Sequence, residues 1–326
     1  MRPINPFRSG RFSALARWSF PCAVLVALIP AVTSSVPNKY ARAEVVSRRT
    51  LTLAMDSTVA GGHDETTSSR SAYAGLTGVS GRLRVVIGTP DALSQNPKIK
   101  PMLAKLNKSG SAPWPTLTTP DGNTLTVVPL VPLESARSAG FGRYRVGNWP
   151  SSNPRYAPPP GFIGVTAENQ ATSLSAHFTI RDFLTHDQGD VWPKVLVLQP
   201  TILDKLELIH QELEREGLPS RLHVMSGFRT PQYNAQGVGE GGRATHSRHM
   251  YGDAADVFVD ANEDGMMDDL NRDGKVSTAD ARVLLRAAER VEAKYPALVG
   301  GLSAYSANSA HGPFVHVDTR GTKARW

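Results

Sequence analysis

Two short segments constrain this chain more than anything else in it. They are Ser247-Arg-His249-Met-Tyr-Gly252-Asp-Ala254-Ala-Asp256 and Phe314-Val-His316-Val-Asp318. Ala255 to Val259 and Phe314 to Val317 read as buried strands, so their side chains project from rigid elements. Two such strands lying antiparallel as neighbours would bring His249, Asp256 and His316 to one point. Gly252 and Ala254 let the backbone turn tightly and leave room beside an ion. Two imidazoles and a carboxylate are enough to hold one zinc ion. Three protein ligands with a fourth position open is the pattern of a catalytic site, whereas structural sites are closed. Such an ion polarises a carbonyl and activates water, which is what amide hydrolysis needs. Taken singly, each residue also has a plainer reading. A strand histidine is often a satisfied core group, and an Asp before a loop is often a turn residue.

Cysteine usage narrows the ligand chemistry. The 326-residue chain has one cysteine, Cys22, inside an apolar run from Trp18 to Val32. A basic stretch precedes that run, and Ala41-Arg42-Ala43 follows as a small-x-small cleavage site, so residues 1–43 read as a secretory signal. The alternative is an uncleaved anchor, although the run is short for a bilayer span of about 20 residues. With the signal removed no thiol remains, and any metal must be held by His, Asp or Glu. An exported protein without disulfides places this one in a bacterial periplasm or cell wall. The formal charge of +7 belongs largely to the leader. Arg2, Arg8, Arg11, Arg17, Lys39 and Arg42 lie there with no acid, so the remainder is close to neutral. That excludes the basic footprint of a nucleic-acid-binding domain, and no stable membrane insertion is expected after cleavage.

Residues 44–81 read as a flexible linker, rich in Gly, Ser and Thr from Gly61 onward. Residues 82–165 suggest a small β-rich region of unknown role. Leu83–Ile87 and Leu125–Leu130 are β-branched runs, and Asp121-Gly122 is a turn signal between them. The aromatics of its loops, Trp149, Tyr156 and Phe162 among them, read as packing residues. Ile202, Leu206, Ile209 and Leu213 recur at helical spacing over about 200–216. His210 on that helix reads as a surface residue. Leu222 to Met225 is a strand, and a second helix runs over about 279–294. Mixed helices and short strands predict an α+β domain with a small antiparallel sheet and flanking helices.

Four blocks carry a resemblance. Ser247-x-His249-x-x-Gly252-x-Ala254-x-Asp256 resembles the signature of the M15 metallopeptidases, the D-Ala-D-Ala carboxypeptidase and dipeptidase group. Ser226-Gly-Phe-Arg229-Thr-Pro-x-Tyr-Asn234 is similar to their upstream motif, and Ser175-x-His-Phe178-Thr-Ile-x-x-Phe183 to the start of such domains. Phe314-Val-His-Val-Asp-Thr-Arg320-Gly, with the closing Ala-Arg-Trp326, resembles the ending of the murein-peptidase branch. The blocks cover residues 174–326 in family order. The resemblance implies zinc on His249, Asp256 and His316, and a peptidoglycan substrate cut at bonds next to D-amino acids. It implies that Arg229 binds the substrate's carboxylate or scissile carbonyl, with Ser247 also at the substrate; a structural salt bridge is the plainer role for Arg229. Some members carry Glu three residues before the third ligand, or His two before it. Here those positions hold Pro313 and Phe314. That leaves the general base open, with His311 first among the candidates beside a plain loop role, and His246 as an outer-shell or surface residue. Asp318 either orients His316 or caps its strand. Three functions stay in view: a zinc peptidase of carboxypeptidase or endopeptidase type, a zinc-containing wall-binding module that has lost catalysis, and a general protease for ordinary L-peptides.

A second metal signature interrupts this region over 260–280. Asp260, Asn262 and Asp264 precede Gly265, and Asp269, Asn271 and Asp273 precede Gly274, in the phasing of calcium loops. The second resembles a dockerin-type loop, with Lys275 at position 7, Ser277 at 9 and Asp280 at 12. Asp268 falls at position 9 of the first. Structural calcium is therefore expected, bracing the strand that carries Asp256; the alternative is a solvated acidic loop.

Overall fold

The computed structural model describes residues 73, 75–104, 112–137, 143–150, 156–239 and 242–326. The expected signal peptide, residues 1–43, and the linker as far as residue 72 lie outside them. Among the described residues no helix is long and apolar enough to cross a membrane.

The protein is α+β. The N-terminal part runs β1 (Val85–Gly88), α1 (Pro90–Ser94), α2 (Lys100–Leu103), β2 (Thr116–Thr118), β3 (Thr124–Pro129), β4 (Val131–Pro132), α3 (Leu133–Arg137) and β5 (Gly161–Val165). It continues with β6 (Lys194–Leu196), α4 (Pro200–Arg215), β7 (Leu222–Ser226), α5 (Pro231–Ala235) and β8 (Ala254–Val259). The C-terminal elements are α6 (Thr278–Lys294), β9 (Gly301–Tyr305), β10 (Phe314–Asp318) and β11 (Ala324–Arg325). Three sheets result: β1-β3-β2, β4-β5-β6, and a five-stranded sheet in the order β11-β9-β10-β8-β7. The last is antiparallel apart from the β11–β9 pair, and α6 packs across β9 and β10 and against α4.

Local chemistry accounts for the central elements. β8 and β10 are buried at every position, so neither shows the alternation of a half-exposed strand. Helix α4 begins at Pro200, where the missing N–H costs nothing, and α6 begins with a Ser277/Asp280 capping box. The Asp121-Gly122 turn closes the β2–β3 hairpin with Gly122 at φ 83°. The strands of 82–165 are not set apart from the rest. β5 pairs with β6, Leu83 bridges to Ser175, and one hydrophobic core joins Leu83, Phe162, Ile202, Val257 and Val317.

His210 corrects the sequence reading: it is buried, not a surface residue. It sits four residues after Leu206 and three before Leu213, on the apolar side of α4. Segments remote in sequence cover it. Its ring stacks on His177 with centroids 3.8 Å apart, and Arg82 Nη1 donates to its Nδ1 at 3.2 Å. Glu214 is 3.4 Å away, and His177 bonds to the buried Glu207 at 2.8 Å. Nearby, the backbone N–H groups of Val79 and Ser80 donate to Asp204, so the last residues of the expected linker are strapped to α4. Burial, and then the facing His177, hold the His210 pKa below its ordinary value of 6.5. The native chain therefore binds fewer protons here than the unfolded chain. Stability should fall as pH drops below about 6.5, towards the lower native pKa. Thermal unfolding from pH 7.5 to 5.5 checks this, and in His210→Gln the acid-side loss should be smaller.

Candidate metal centre

The five-stranded sheet assembles the site along one row. Ser226 on β7 lies opposite Asp256 on β8, Asp256 opposite His316 on β10, and His316 opposite Ser303 on β9. Directly opposed residues of antiparallel strands point to the same face. Asp256 and His316 thus meet by register. His249 reaches them from a 3-10 turn, Arg248–Tyr251, that precedes β8. The turn closes at Gly252, whose φ of 68° lies in the left-handed region. A Cβ there would collide with the Val197 carbonyl, so glycine is required on both counts. Trp149 anchors the same turn by donating its indole N–H to Met250 O at 2.8 Å.

Three donor atoms converge. His249 Nε2 lies 3.3 Å from His316 Nδ1 and 3.2 Å from Asp256 Oδ1, and His316 Nδ1 lies 2.9 Å from the same oxygen. Donors at zinc distances of about 2.0–2.1 Å stand about 3.3 Å apart in a tetrahedral shell, so the triangle fits such an ion with little adjustment. Among the described residues this is the one group of three His, Asp or Glu whose ligand atoms lie within 4.8 Å of one another.

The second shell decides which nitrogen faces the centre. His249 donates Nδ1–H to Gly227 O at 2.7 Å, which leaves Nε2 as the inward lone pair. His316 is turned the other way. Its Nε2 bonds to Asp318 Oδ2 at 3.1 Å, so Nδ1 is the nitrogen turned towards His249 and Asp256. Such outer partners fix tautomer and ring angle. Asp318, fully buried, is held in turn by the Arg320 guanidinium and by Gly301 N at 2.7 Å. It thus bonds to the His316 ring through Oδ2 and, through Oδ1, accepts from Arg320 N at 3.1 Å just past its strand, so both arrangements open from sequence are present.

Charge is arranged for a cation. Burial pushes Asp256 up, but the two imidazoles override it and hold the carboxyl well below its ordinary range. Asp318 behaves alike, through His316 and Arg320. Burial lowers the His249 pKa below its ordinary value. Burial opposes the charged form of His316, but its bonds to Asp256 and Asp318 raise its pKa.

The remaining candidates are placed as follows. Arg229 pairs through Nη2 with Asp256 and through Nε with Ser226 Oγ at 2.8 Å. One edge of its guanidinium is thus a structural ion pair to the carboxylate of the trio. Ser247 is buried at the start of the His249 turn. His246 is half-buried, with its ring 4.5 Å from Tyr156 and its Nε2 unpartnered. His311 stands on the loop before β10. Its Nδ1 bonds to Gly312 O at 2.8 Å and its Nε2 to Asn308 Nδ2 at 2.9 Å, so both nitrogens are engaged.

The two acidic loops share one conformation. Glu263 and Arg272 both have φ 61°, and Gly265 and Gly274 both have φ 80°. Asp260 accepts from Asp264 N and Gly265 N, and Asp269 accepts from Asp273 N and Gly274 N. Asn262 and Asn271 each accept from the Asp two residues on, and Asp273 accepts from Lys275 N. Asp280 accepts from Asn271 N and Ser277 N, and Asp268 from Ala261 N. These carboxylates engage backbone amides of their own loops and are not gathered as the trio is.

Sequence reasoning named Trp326 only within the closing block and Trp149 only as a packing aromatic, and did not single out Ser303; their places beside the trio come from strand register and distant contacts. Curated proteins and solved structures return no match to the chain. The Peptidase M15 family model does match, over residues 176–278. That segment contains Arg229, His249 and Asp256 and ends before His316, so the peptidase family is supported by the part of the chain that carries two of the three converging groups.

Proposed function

We propose that this protein is an exported zinc-dependent peptidase that hydrolyses bonds next to D-amino acids in peptidoglycan stem peptides or crosslinks. The observation that carries it is the His249–Asp256–His316 triangle, with its tautomers set from behind. Zinc, when bound there, supplies a Lewis acid and an activated water. The chain's own groups do the rest. Asp318 and Gly227 orient the imidazoles. Arg229 pairs with Asp256 along one edge and offers its remaining N–H groups to a substrate carboxylate or carbonyl. The ending similar to murein peptidases favours endopeptidase over carboxypeptidase action. Digestion of defined muropeptides, read by mass, should give zinc-dependent cleavage that a chelator abolishes.

One observation favours a second reading, a zinc-containing wall-binding module without catalysis. Pro313 and Phe314 stand where other members have an acid or a histidine, and both nitrogens of His311 are occupied. Absence of any cleavage with zinc present, together with wall binding that persists in His249→Ala, selects that reading.

Structural calcium in the 260–280 loops belongs to the same proposal. An ion there would relieve repulsion among Asp260, Asp264, Asp269 and Asp273. Millimolar calcium should raise the unfolding temperature by several degrees, since binding only the native state at about 100 times Kd adds about 2.7 kcal/mol. Asp269→Ala should remove most of the shift.

A further inference from the structure

The row that holds Asp256 and His316 has a serine at each end, and each serine bonds to a conspicuous residue, Arg229 through its side chain and Trp326 through its backbone. On the β7 side Ser226 Oγ accepts from Arg229. On the β9 side Ser303 Oγ donates to the Trp326 carbonyl. The metal trio thus lies between a guanidinium and an indole. Trp326 is 57% exposed, yet it is firmly held. Its ring packs 5.3 Å from the His316 ring, and Arg320 stands 5.5 Å from its centroid. Its indole N–H donates to Tyr305 OH at 2.6 Å. Gly301 lies beneath it, and a Cβ there would come within 3.0 Å of Trp326 Cη2. Tyr305 stacks on Phe314 with centroids 4.6 Å apart and planes 6° from parallel, and His311 meets Phe314 edge-on. Among the described residues Tyr305 and Trp326 are the only Phe, Tyr or Trp side chains in the exposed class, and they touch each other beside His316.

A large apolar ring left in water and held in one orientation is costly unless something covers it. Its surroundings define what fits. The platform is flat and rigid, and polar groups rim it: Tyr305 OH and the Arg320 guanidinium. A single alanine methyl would cover little of an indole. A pyranose ring matches it, because its axial C–H groups form a flat apolar face while its equatorial hydroxyl and acetamido groups point outward to hydrogen-bond partners. We propose that Trp326 and Tyr305 form a sugar subsite that seats an N-acetylated amino-sugar ring of the glycan strand next to the metal centre. His311 is then a member of the platform's supporting ridge. This inference rests on the peptidoglycan reading and adds the part of the substrate that is recognised.

The test uses the zinc-loaded full chain and a β-1,4-linked N-acetylglucosamine tetramer, with binding followed by calorimetry. Kinetics on a stem peptide, free and attached to its disaccharide, run alongside. The expected result is saturable binding of the tetramer, weakened about tenfold or more in Trp326→Ala and in Trp326→Leu, which corresponds to about 1.4 kcal/mol. The leucine keeps apolar cover over His316 and Gly301 without a flat face, and zinc content measured on each variant separates loss of the subsite from loss of the site. The kcat/KM ratio of sugar-bearing to free peptide should fall towards one in both variants. No binding of the tetramer by the native chain overturns the proposal, as does equal binding by native chain and zinc-replete variants. If neither peptide is cut but the tetramer still binds through Trp326, the peptidase reading fails and the sugar subsite stands.

Discussion

His316→Ala should lose zinc on dialysis and lower kcat/KM on a muropeptide by at least about 10³-fold, the loss expected when several kcal/mol of Lewis-acid stabilisation disappears. His316 is one vertex of the donor triangle, and two donors, His249 Nε2 and Asp256 Oδ1, remain without it. The more informative variant is Asp318→Asn. Asp318 lies outside the triangle but holds Nε2 of His316 and so keeps Nδ1 aimed inward. Arg320 and Gly301 N hold it rigid. Asparagine retains the shape but loses the charge that favours N–H on the far side of the ring. Zinc affinity should drop by about 10–100-fold, and activity should recover with excess zinc, which His316→Ala does not allow. Equilibrium dialysis against a zinc buffer and activity titrations measure both quantities. Native-like zinc affinity in Asp318→Asn would falsify the assignment of Asp318 as the orienting carboxylate.

The second large effect is on stability. Glu292→Ala should destabilise the fold by about 3–5 kcal/mol, because it leaves a buried ammonium without its counter-charge. Lys205 is fully buried in α4, and its Nζ donates to Glu292 Oε1 at 2.6 Å and to the Asp318 carbonyl at 2.7 Å. Glu292 also accepts from Gly300 N at 2.8 Å and pairs with Arg325. Truncation therefore takes the shared carboxylate from three donors, Lys205 Nζ, Gly300 N and Arg325, at the junction of α4, α6, β9 and β10. At roughly 2–4 °C per kcal/mol, the unfolding midpoint should fall by about 10 °C. Lys205→Met combined with Glu292→Leu should recover most of the loss, since a buried pair replaced by apolar groups is often neutral. A midpoint for Glu292→Ala within a degree or two of the native one would show that the pair contributes nothing. Lys205 grips the backbone of Asp318, so the single variant should also loosen zinc, which links the core to the metal centre.

Much of the secondary structure was legible because it follows local rules. The apolar periodicity of Ile202, Leu206, Ile209 and Leu213 marks the helix seen at Pro200–Arg215. The uninterrupted runs at Ala254–Val259 and Phe314–Asp318 mark buried strands. Residues whose role depends on a distant segment were not legible. His210 looked exposed among glutamates, yet residues 82 and 177 close over it. Trp149 lay in a stretch with no visible chemistry, yet its indole bonds to Met250 O beside His249.

Local chemistry accounts for the inventory: which imidazoles and carboxylates exist, which strands carry them, and that glycine stands at 252. Those follow from side-chain chemistry and short-range backbone preference. How the inventory is used depends on the pairing of distant segments. Cross-strand register sets Asp256 opposite His316 and puts Ser226 and Ser303 at the ends of their row. Bonds from Gly227 and Asp318 choose opposite ring nitrogens on the two histidines. A one-residue slip of β10 would turn His316 to the other face of the sheet. The donor set was therefore written locally, while its convergence depends on pairings that only the folded sheet supplies.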